Sequence, residues 1–351
     1  MTRISIAGAM GATPVRDVCV VRGYRSLLPT ILPRSLDRVD VSPPKTGRSV
    51  RYRAFGLDIE SELDLPELVP REEARVCKPD LRIAVGAVTP APSVAKAAGP
   101  GTQVADGRVW FETPVGRFEA RDGRVITVAS APGVPAPDVR LYLLGTMIGA
   151  VLHQRGILPL HANAVDVGRG AIAVAGPSGA GKSTLAAYFR RAGCGVLSDD
   201  VCAVTFDARG DPWAEPGLAR IKLWGDALAA LDQDRSALEP LADGVDKFSL
   251  PFASAPANRV RLRRLYVIDA EPAPLTTMTR LTGADAVGAV LANIYRWPLA
   301  IALDRAPTHF AAAVRLAVRC DVISLRFRRG LDHLPDLVEG LRAGDVGALP
   351  A

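Results

Sequence analysis

The sequence predicts an α/β fold, a phosphate-loop nucleotide-binding core with a small β-rich module on its N-terminal side. Three observations predict it. GPSGAGKST at 176–184 meets the spacing G-x-x-x-x-G-K-[ST] and lies between an apolar β-prone segment, AIAVAG from Ala171, and TLAAYFRRAG, which reads as a helix ending at Gly193. Apolar strand-like runs alternate with helical stretches from about Ile157 onward. Before them, 50–135 reads as short strands and turns.

The chain has 351 residues and is 48% apolar, enough for a large core or for two domains. Its net charge is +6, but 37 of the 43 basic residues are arginine and they are spread along the chain rather than gathered into a run. That favours a basic surface over a nucleic-acid stripe, and such a surface suits an acidic peptide or protein. No nucleic-acid partner is expected. Cys19, Cys77, Cys194, Cys202 and Cys320 form no C-x-x-C pair and read as reduced thiols of a cytoplasmic protein. The longest apolar run, LYLLGTMIGAVL at 141–152, is too short to span a bilayer and suits a buried helix, so no membrane partner is expected. No secretory signal is expected, since the first residues lack an apolar stretch and a cleavage site.

Taken in order, 1–49 is rich in Arg, Pro and Ser and reads as a poorly ordered extension. From 50 to 135 comes the β-rich module. YRAFGLDIESEL and DLRIAVGAV read as strands, and GRVWFETPVGRFEARDGRVITVA as three strands turned at Pro114-Val115-Gly116 and Asp122-Gly123, with TPAPSVAKAAGPG a linker inside the module. A helix capped by Asp138 leads into the core, 136–345. ILPLHANAVDVG and AIAVAG are two strands before the phosphate loop; CGVLSDDVCAV is a strand pair broken by two aspartates. RIKLWGDALAAL passes from strand to helix and RLRRLYVID is a strand. The stretch from Asp285 to Val318 is helical with a break at Trp297-Pro298, and DVISLRF is a strand before a final helix near Leu334–Leu341.

The loop residues have a physical role. Gly176, Gly179 and Gly181 let the backbone curl so that consecutive N–H groups, including those around Ser178, Ala180 and Thr184, point at phosphate oxygens. Lys182 reaches the β- and γ-phosphates, and Ser183 Oγ can ligate Mg²⁺. A nucleotide with Mg²⁺ is the expected cofactor pair, but the loop alone does not choose between ATPase, GTPase, kinase and nucleotide-gated binder. Asp199 and Asp200 narrow it. They end the strand that follows the loop helix, where a parallel sheet would set them opposite the γ-phosphate, one turned to metal and the other to an acceptor hydroxyl. His161, with Asn163 and Asp166 nearby, interrupts an apolar strand that should neighbour the loop. Trp224, Trp297 and Tyr295 read as packing residues.

In order and spacing, L-H-A-N-A-V-D-V, G-P-S-G-A-G-K-S-T and L-S-D-D-V resemble the C-terminal kinase domain of the HPr serine kinase/phosphorylase family over roughly 157–205. The rest of the C-terminal half resembles it more loosely. The resemblance implies a core of HPr-kinase/PEP-carboxykinase type, ATP as the nucleotide, and phosphorylation of a serine hydroxyl on a protein or peptide. Lys182 would neutralise the phosphates, Ser183 and Asp200 would hold Mg²⁺, and Asp199 would act as general base supported by His161. It also implies a further acid on the metal, carried over to Glu215 in EPGLARIKLW. A homo-oligomer joins the partners, since well-known members assemble into rings.

The departures shift the reading. The family's glycine-arginine-asparagine element near the acceptor is not visible; DKFSLP with Lys247, then Arg259 and Arg261, stand in its place. FGLDIESELDLPEL and RIKLW are similar to divergent members that phosphorylate ribosomal precursor peptides, so peptide tailoring is favoured over HPr itself. Two alternatives stay open, a small-molecule kinase or PEP-carboxykinase-like phosphotransferase, and a non-catalytic nucleotide-binding regulator.

Overall fold

A computed structural model of the chain describes residues 49–71, 78–238, 246–252, 258–269, 271–328 and 330–344. The expected extension at 1–49 lies, but for its last residue, outside the described residues, as do Cys19 and Cys77. Period-two alternation produces eight short strands, β1 (Val50–Ala54), β2 (Leu57–Ser61), β3 (Leu81–Val85), β4 (Lys96–Gly99), β5 (Thr102–Ala105), β6 (Arg108–Thr113), β7 (Gly116–Arg121) and β8 (Val125–Ser130). They form one sheet in the order β1-β2-β3-β8-β7-β6-β5-β4. Asp122 and Gly123 turn β7 into β8 with φ of 55° and 63°, the left-handed region that Asp and Gly tolerate best. The stretch read as a linker contains β4, which pairs β5 and closes the sheet's edge.

One face of this sheet packs on a helical stretch built from α1 (Ala136–Tyr142), a π-helical turn (Leu143–Met147) and α2 (Ile148–Gln154). Ile59, Leu81, Phe118 and Ile126 from the sheet share a core with Leu143, Met147 and Val151. The helix is capped at Pro135, and Asp138 sits inside its first turn rather than at the cap. There its carboxylate still faces the positive end of the helix dipole.

The second sheet is mixed, not parallel. β9 (Leu158–Leu160), β10 (Ala162–Asp166), β11 (Ala171–Ala175), β12 (Gly195–Ser198), β13 (Cys202–Phe206), β14 (Pro212–Ala214) and β17 (Val260–Ile268) run in the order β12-β10-β11-β17-β14-β13-β9, extended by β19 (Asp321–Arg326) and β18 (Thr277–Leu281). β10 is antiparallel to both β11 and β12, whereas β11, β17 and β19 are parallel. β15 (Arg220–Trp224) and β16 (Lys247–Pro251) make a separate antiparallel pair, with α4 (Gly225–Ala230) after β15.

Burial on both faces explains the uninterrupted apolar run of β11. Ile172 and Val174 face a core with α3 (Lys182–Arg191) and α8 (Leu334–Ala343), while Ala171, Ala173 and Ala175 face α5 (Gly283–Ala292) and α7 (Ala306–Arg319). Trp297-Pro298 starts α6 (Trp297–Ala302) instead of breaking a helix, since a proline in the first turn costs no hydrogen bond. Cys194, Cys202 and Cys320 are free and buried. Among the described residues no helix is long and apolar enough to cross a membrane. The described residues belong to one compact unit.

Candidate active site

The antiparallel course of β10 assembles the site. The phosphate loop leaves the C-terminal end of β11, and Asp199-Asp200 leave the C-terminal end of β12. β10 lies between them and runs the other way, so its first residues arrive at that same edge. Ala162 pairs with Ala175 and Ala164 with Ser198, which sets His161 between loop and aspartates. Gly176 has φ 146°, and a Cβ there would meet Ile268 Cβ and O at 3.0 Å, so glycine is required where the loop leaves the sheet. Gly181, with φ 94°, is the residue from which α3 starts. Lys182 opens that helix and folds back, its Nζ donating to Gly176 O (2.9 Å) and Pro177 O (3.0 Å).

The two aspartates have different surroundings. Asp199 is 3% exposed. Its Oδ1 accepts from Ser183 Oγ (2.9 Å) and its Oδ2 from the Lys222 backbone N–H (2.8 Å). Burial, then the neighbouring Asp200 charge, pushes its carboxyl above the usual range. Asp200 has φ 74° and turns the other way. Its Oδ2 accepts from Lys222 Nζ (3.0 Å), and its Oδ1 lies 3.3 Å from His161 Nδ1. Burial alone would raise the Asp200 carboxyl, but the Lys222 ammonium and then His161 outweigh it and hold it well below the carboxylate range.

His161 Nε2 lies 3.2 Å from Lys182 Nζ. An ammonium can only donate, so Nε2 accepts and Nδ1 carries the proton, which the Asp200 backbone oxygen accepts at 3.1 Å beside its carboxylate. Lys182, His161, Asp200 and Lys222 thereby form one continuous polar chain. Burial lowers Lys182 to about 8, although Asp200 and Asp199 oppose that fall.

These groups line a cavity of about 330 Å³. Ser178, Gly179, Ala180, Gly181, Ser183 and Thr184 make its loop wall. Opposite stand Lys222, Trp224 and Lys247 of the β15–β16 pair, and one end is apolar, with Phe327, Leu331 and Leu334. Trp224 does not pack away as expected: it is 47% exposed, with Lys247 Nζ 5.4 Å from its ring centre. Asn163 is buried, and among the described residues its Nδ2 has no hydrogen-bond partner.

Of the residues expected at the site, His161, Asp200, Lys182, Ser183 and the loop from Ser178 to Thr184 meet around this cavity. Gly176 lies beneath it through its bond to Lys182. Asp199 sits behind Ser183. Glu215 is elsewhere. It is buried at the wall of a second cavity, where it accepts from Thr205 Oγ1 (2.6 Å) and lies 3.9 Å from Arg259. The reason is that Glu215 follows β14, on the far side of β17 from the loop strand. Lys222 is the site residue that motif reading missed, and Lys247, singled out only as part of the changed acceptor segment, belongs to this cavity too. The chain has six lysines and three of them line this cavity, so the scarcity of lysine beside abundant arginine was the available signal.

No family model matches the chain, and no curated protein does. Among solved structures, the Hpr(Ser) kinase/phosphatase from Coxiella burnetii overlaps 53% of this chain and 94% of its own, at 13% identity and a TM-score of 0.28.

Proposed function

We propose that the chain is an ATP-dependent phosphotransferase, a kinase that moves the γ-phosphate of ATP to a serine hydroxyl on a protein or precursor peptide. One observation carries this reading. The loop lysine, Ser183 and the Asp200–His161 pair line a single cavity, with Asp199 hydrogen-bonded behind Ser183. A non-transferring regulator has no need of Asp200 at the cavity wall. The serine acceptor and the preference for a peptide are supported by the motif order and by the changed segment around Lys247.

The residues have the following roles in this reading. Lys182 exchanges its two loop carbonyls for phosphate oxygens, and the loop N–H groups hold the remaining negative charge. Asp200 lines the cavity, whereas Asp199 lies behind Ser183 and does not. Asp200 therefore orients the acceptor hydroxyl and receives its proton, and His161 and Lys222 fix its carboxylate. Its low basicity suits a loose phosphoryl-transfer transition state, which asks little of the base. This reverses the split implied by the resemblance. The hard oxygen of Ser183, with the Asp199 carboxylate hydrogen-bonded behind it, would hold Mg²⁺. When bound there, Mg²⁺ supplies neutralisation of the β- and γ-oxygens. Glu215 has no part in this arrangement.

Intact-mass spectrometry after incubation with Mg·ATP and candidate acceptors tests the reading. An HPr protein and a precursor peptide encoded beside the gene are the two to try. One added phosphoryl group on a serine supports it; no transfer to either, with phosphorylation of a small hydroxylated metabolite instead, would replace the acceptor class.

A further inference from the structure

The sheet edge opposite the phosphate loop carries a second, independent cluster of charge. A depression of about 330 Å³ opens where β11 and β19 begin, lined by Arg169, Arg263, Arg264, Arg319 and Asp321. Ala171 and Ala175 bracket β11, so this depression lies about 13 Å along the strand from the phosphate loop.

Two features of the backbone build it. Consecutive strand residues normally point to opposite faces, yet Arg263 and Arg264 both line the depression. Ala171 pairs with Leu262 and Ile172 with Arg264, which makes Arg263 the extra residue of a β-bulge. Bulges re-aim side chains in this way. Gly170 supplies the room. Its φ is 129°, and a Cβ there would lie 2.6 Å from Arg263 Cγ and 3.1 Å from Arg261 O.

Helix capping accounts for part of the charge. Arg169 Nη2 donates to Arg342 O and to Ala343 O at the C-terminal end of α8, and the Arg264 guanidinium lies against Gly344 at the same end. Asp321 is taken by Arg280 at 2.5 Å. Two guanidiniums remain. Arg263 is exposed, and among the described residues its guanidinium has no hydrogen bond or ion pair. Arg319 is half exposed, and its nearest acid oxygen, Asp211 Oδ1, is 3.9 Å away. Core packing does not explain two exposed arginines brought together by a bulge and a glycine.

We propose that this depression is an anion site for a phosphate-class oxyanion, held by Arg263 and Arg319 with Arg264 and Arg169 behind them. Guanidinium forks match the oxygens of a tetrahedral dianion, and a concave wall with a surplus of cations favours it. The same chemistry is offered by inorganic phosphate and by a phosphorylated serine side chain.

Isothermal titration of inorganic phosphate at constant ionic strength, balanced with chloride, tests the site. The comparison uses the full chain, Arg263→Ala/Arg319→Ala, Gly170→Ala, and Lys182→Ala as the control that disables the phosphate loop. The expected result is an event that persists in Lys182→Ala and weakens about tenfold or more in the double arginine variant, with a smaller loss in Gly170→Ala. Arg263→Lys/Arg319→Lys keeps the charge and loses the forks, so an intermediate loss is expected. A phosphoserine peptide titrated in parallel identifies the source by which ligand binds more tightly. The proposal is overturned if no phosphate binds Lys182→Ala, or if the double arginine variant, folded by circular dichroism, titrates like the parent chain.

Discussion

Lys182 is held at about 8 because burial strips its ammonium of water faster than Asp200 and Asp199 restore the charge. A bound triphosphate favours the charged form, so nucleotide affinity is full below about 8 and falls as pH rises through it. Between pH 7 and 9 the loss is about tenfold, following the protonated fraction. Equilibrium titration with a fluorescent ATP analogue across that range checks it. The guanidinium of a Lys182→Arg variant stays charged and should flatten the profile, whereas a flat profile in the parent chain sinks the assignment. The aspartates separate by a different measurement. Asp200→Asn should lower kcat by about 10²–10⁴ while nucleotide affinity stays within about threefold. Asp199→Asn should raise the Mg²⁺ requirement by about tenfold or more, because it removes the negative charge behind Ser183 and turns one of the two accepting oxygens into a donor. The opposite pattern would restore Asp199 as base and Asp200 on the metal.

Among the elements, the stretch from Ala136 to Gln154 links fold and site most directly. Its π-helical turn and Gly149 form a slot for Tyr295; a Cβ on Gly149 would lie 2.8 Å from the Tyr295 ring. The seated ring is 6.0 Å from His161, centre to centre, and its backbone oxygen takes a 2.8 Å bond from His153 Nε2. Since a carbonyl only accepts, His153 carries its proton on Nε2, and Nδ1 must accept from His309 Nε2 at 2.9 Å. Among the described residues His309 Nδ1 has no partner. This network holds both rings neutral. Burial, then the other ring, lowers His153 to about 3; burial, then Arg305, lowers His309 to about 4. Unfolded histidine titrates near 6.5, so the unfolded chain binds protons that the fold excludes. Their stability is full above about 6.5 and is lost as pH falls towards about 4, at about 1.4 kcal/mol per pH unit for each ring. Urea unfolding at pH 7, 6 and 5 should give His309→Gln about half the parent's slope; an equal slope refutes the mechanism. None of this pairing was legible in the sequence, because His153 and His309 are far apart in the chain and meet only through tertiary packing. The loop, Ser183 and the aspartate pair were legible because their motifs are local. VDVGRGA, a tight turn between apolar strands, also held the signal that β10 runs against β11. Lys222 and Lys247 come together through a strand pair that spans more than twenty residues, which no local pattern reports.

At the scale of the molecule, the eight-stranded sheet is tied to the strands that carry the active-site residues, although none of its residues lines the cavity. Its Phe55 N–H donates to Pro216 O (2.6 Å), and Gly217 N–H donates to Leu197 O (2.7 Å) in β12, two residues before Asp199. Glu67 makes the firmest tie. Its backbone oxygen accepts from Ala219 N–H (3.0 Å), and its buried carboxylate accepts from Arg140 of α1 (2.8 Å) and pairs with Arg220 of β15 (3.2 Å). Arg220 is two residues from Lys222, whose N–H fixes Asp199. Replacing Glu67 by Gln would keep the shape and leave two largely buried guanidiniums without a counter-charge. Breaking such a pair costs about 3–5 kcal/mol. Urea unfolding should show that loss, and it should be felt at once in both sheets, since Ile59 and Phe118 share one hydrophobic core with Val201 and Leu218 beside the aspartates. Circular dichroism and tryptophan fluorescence are expected to report a single shared transition, because Trp110 lies in the first sheet and Trp213 and Trp224 lie beyond it. Nucleotide binding should be lost along the same curve. If Glu67→Gln unfolds the first sheet alone while the phosphate loop still binds nucleotide, the sheet is an independent unit and the coupling through β15 does not hold.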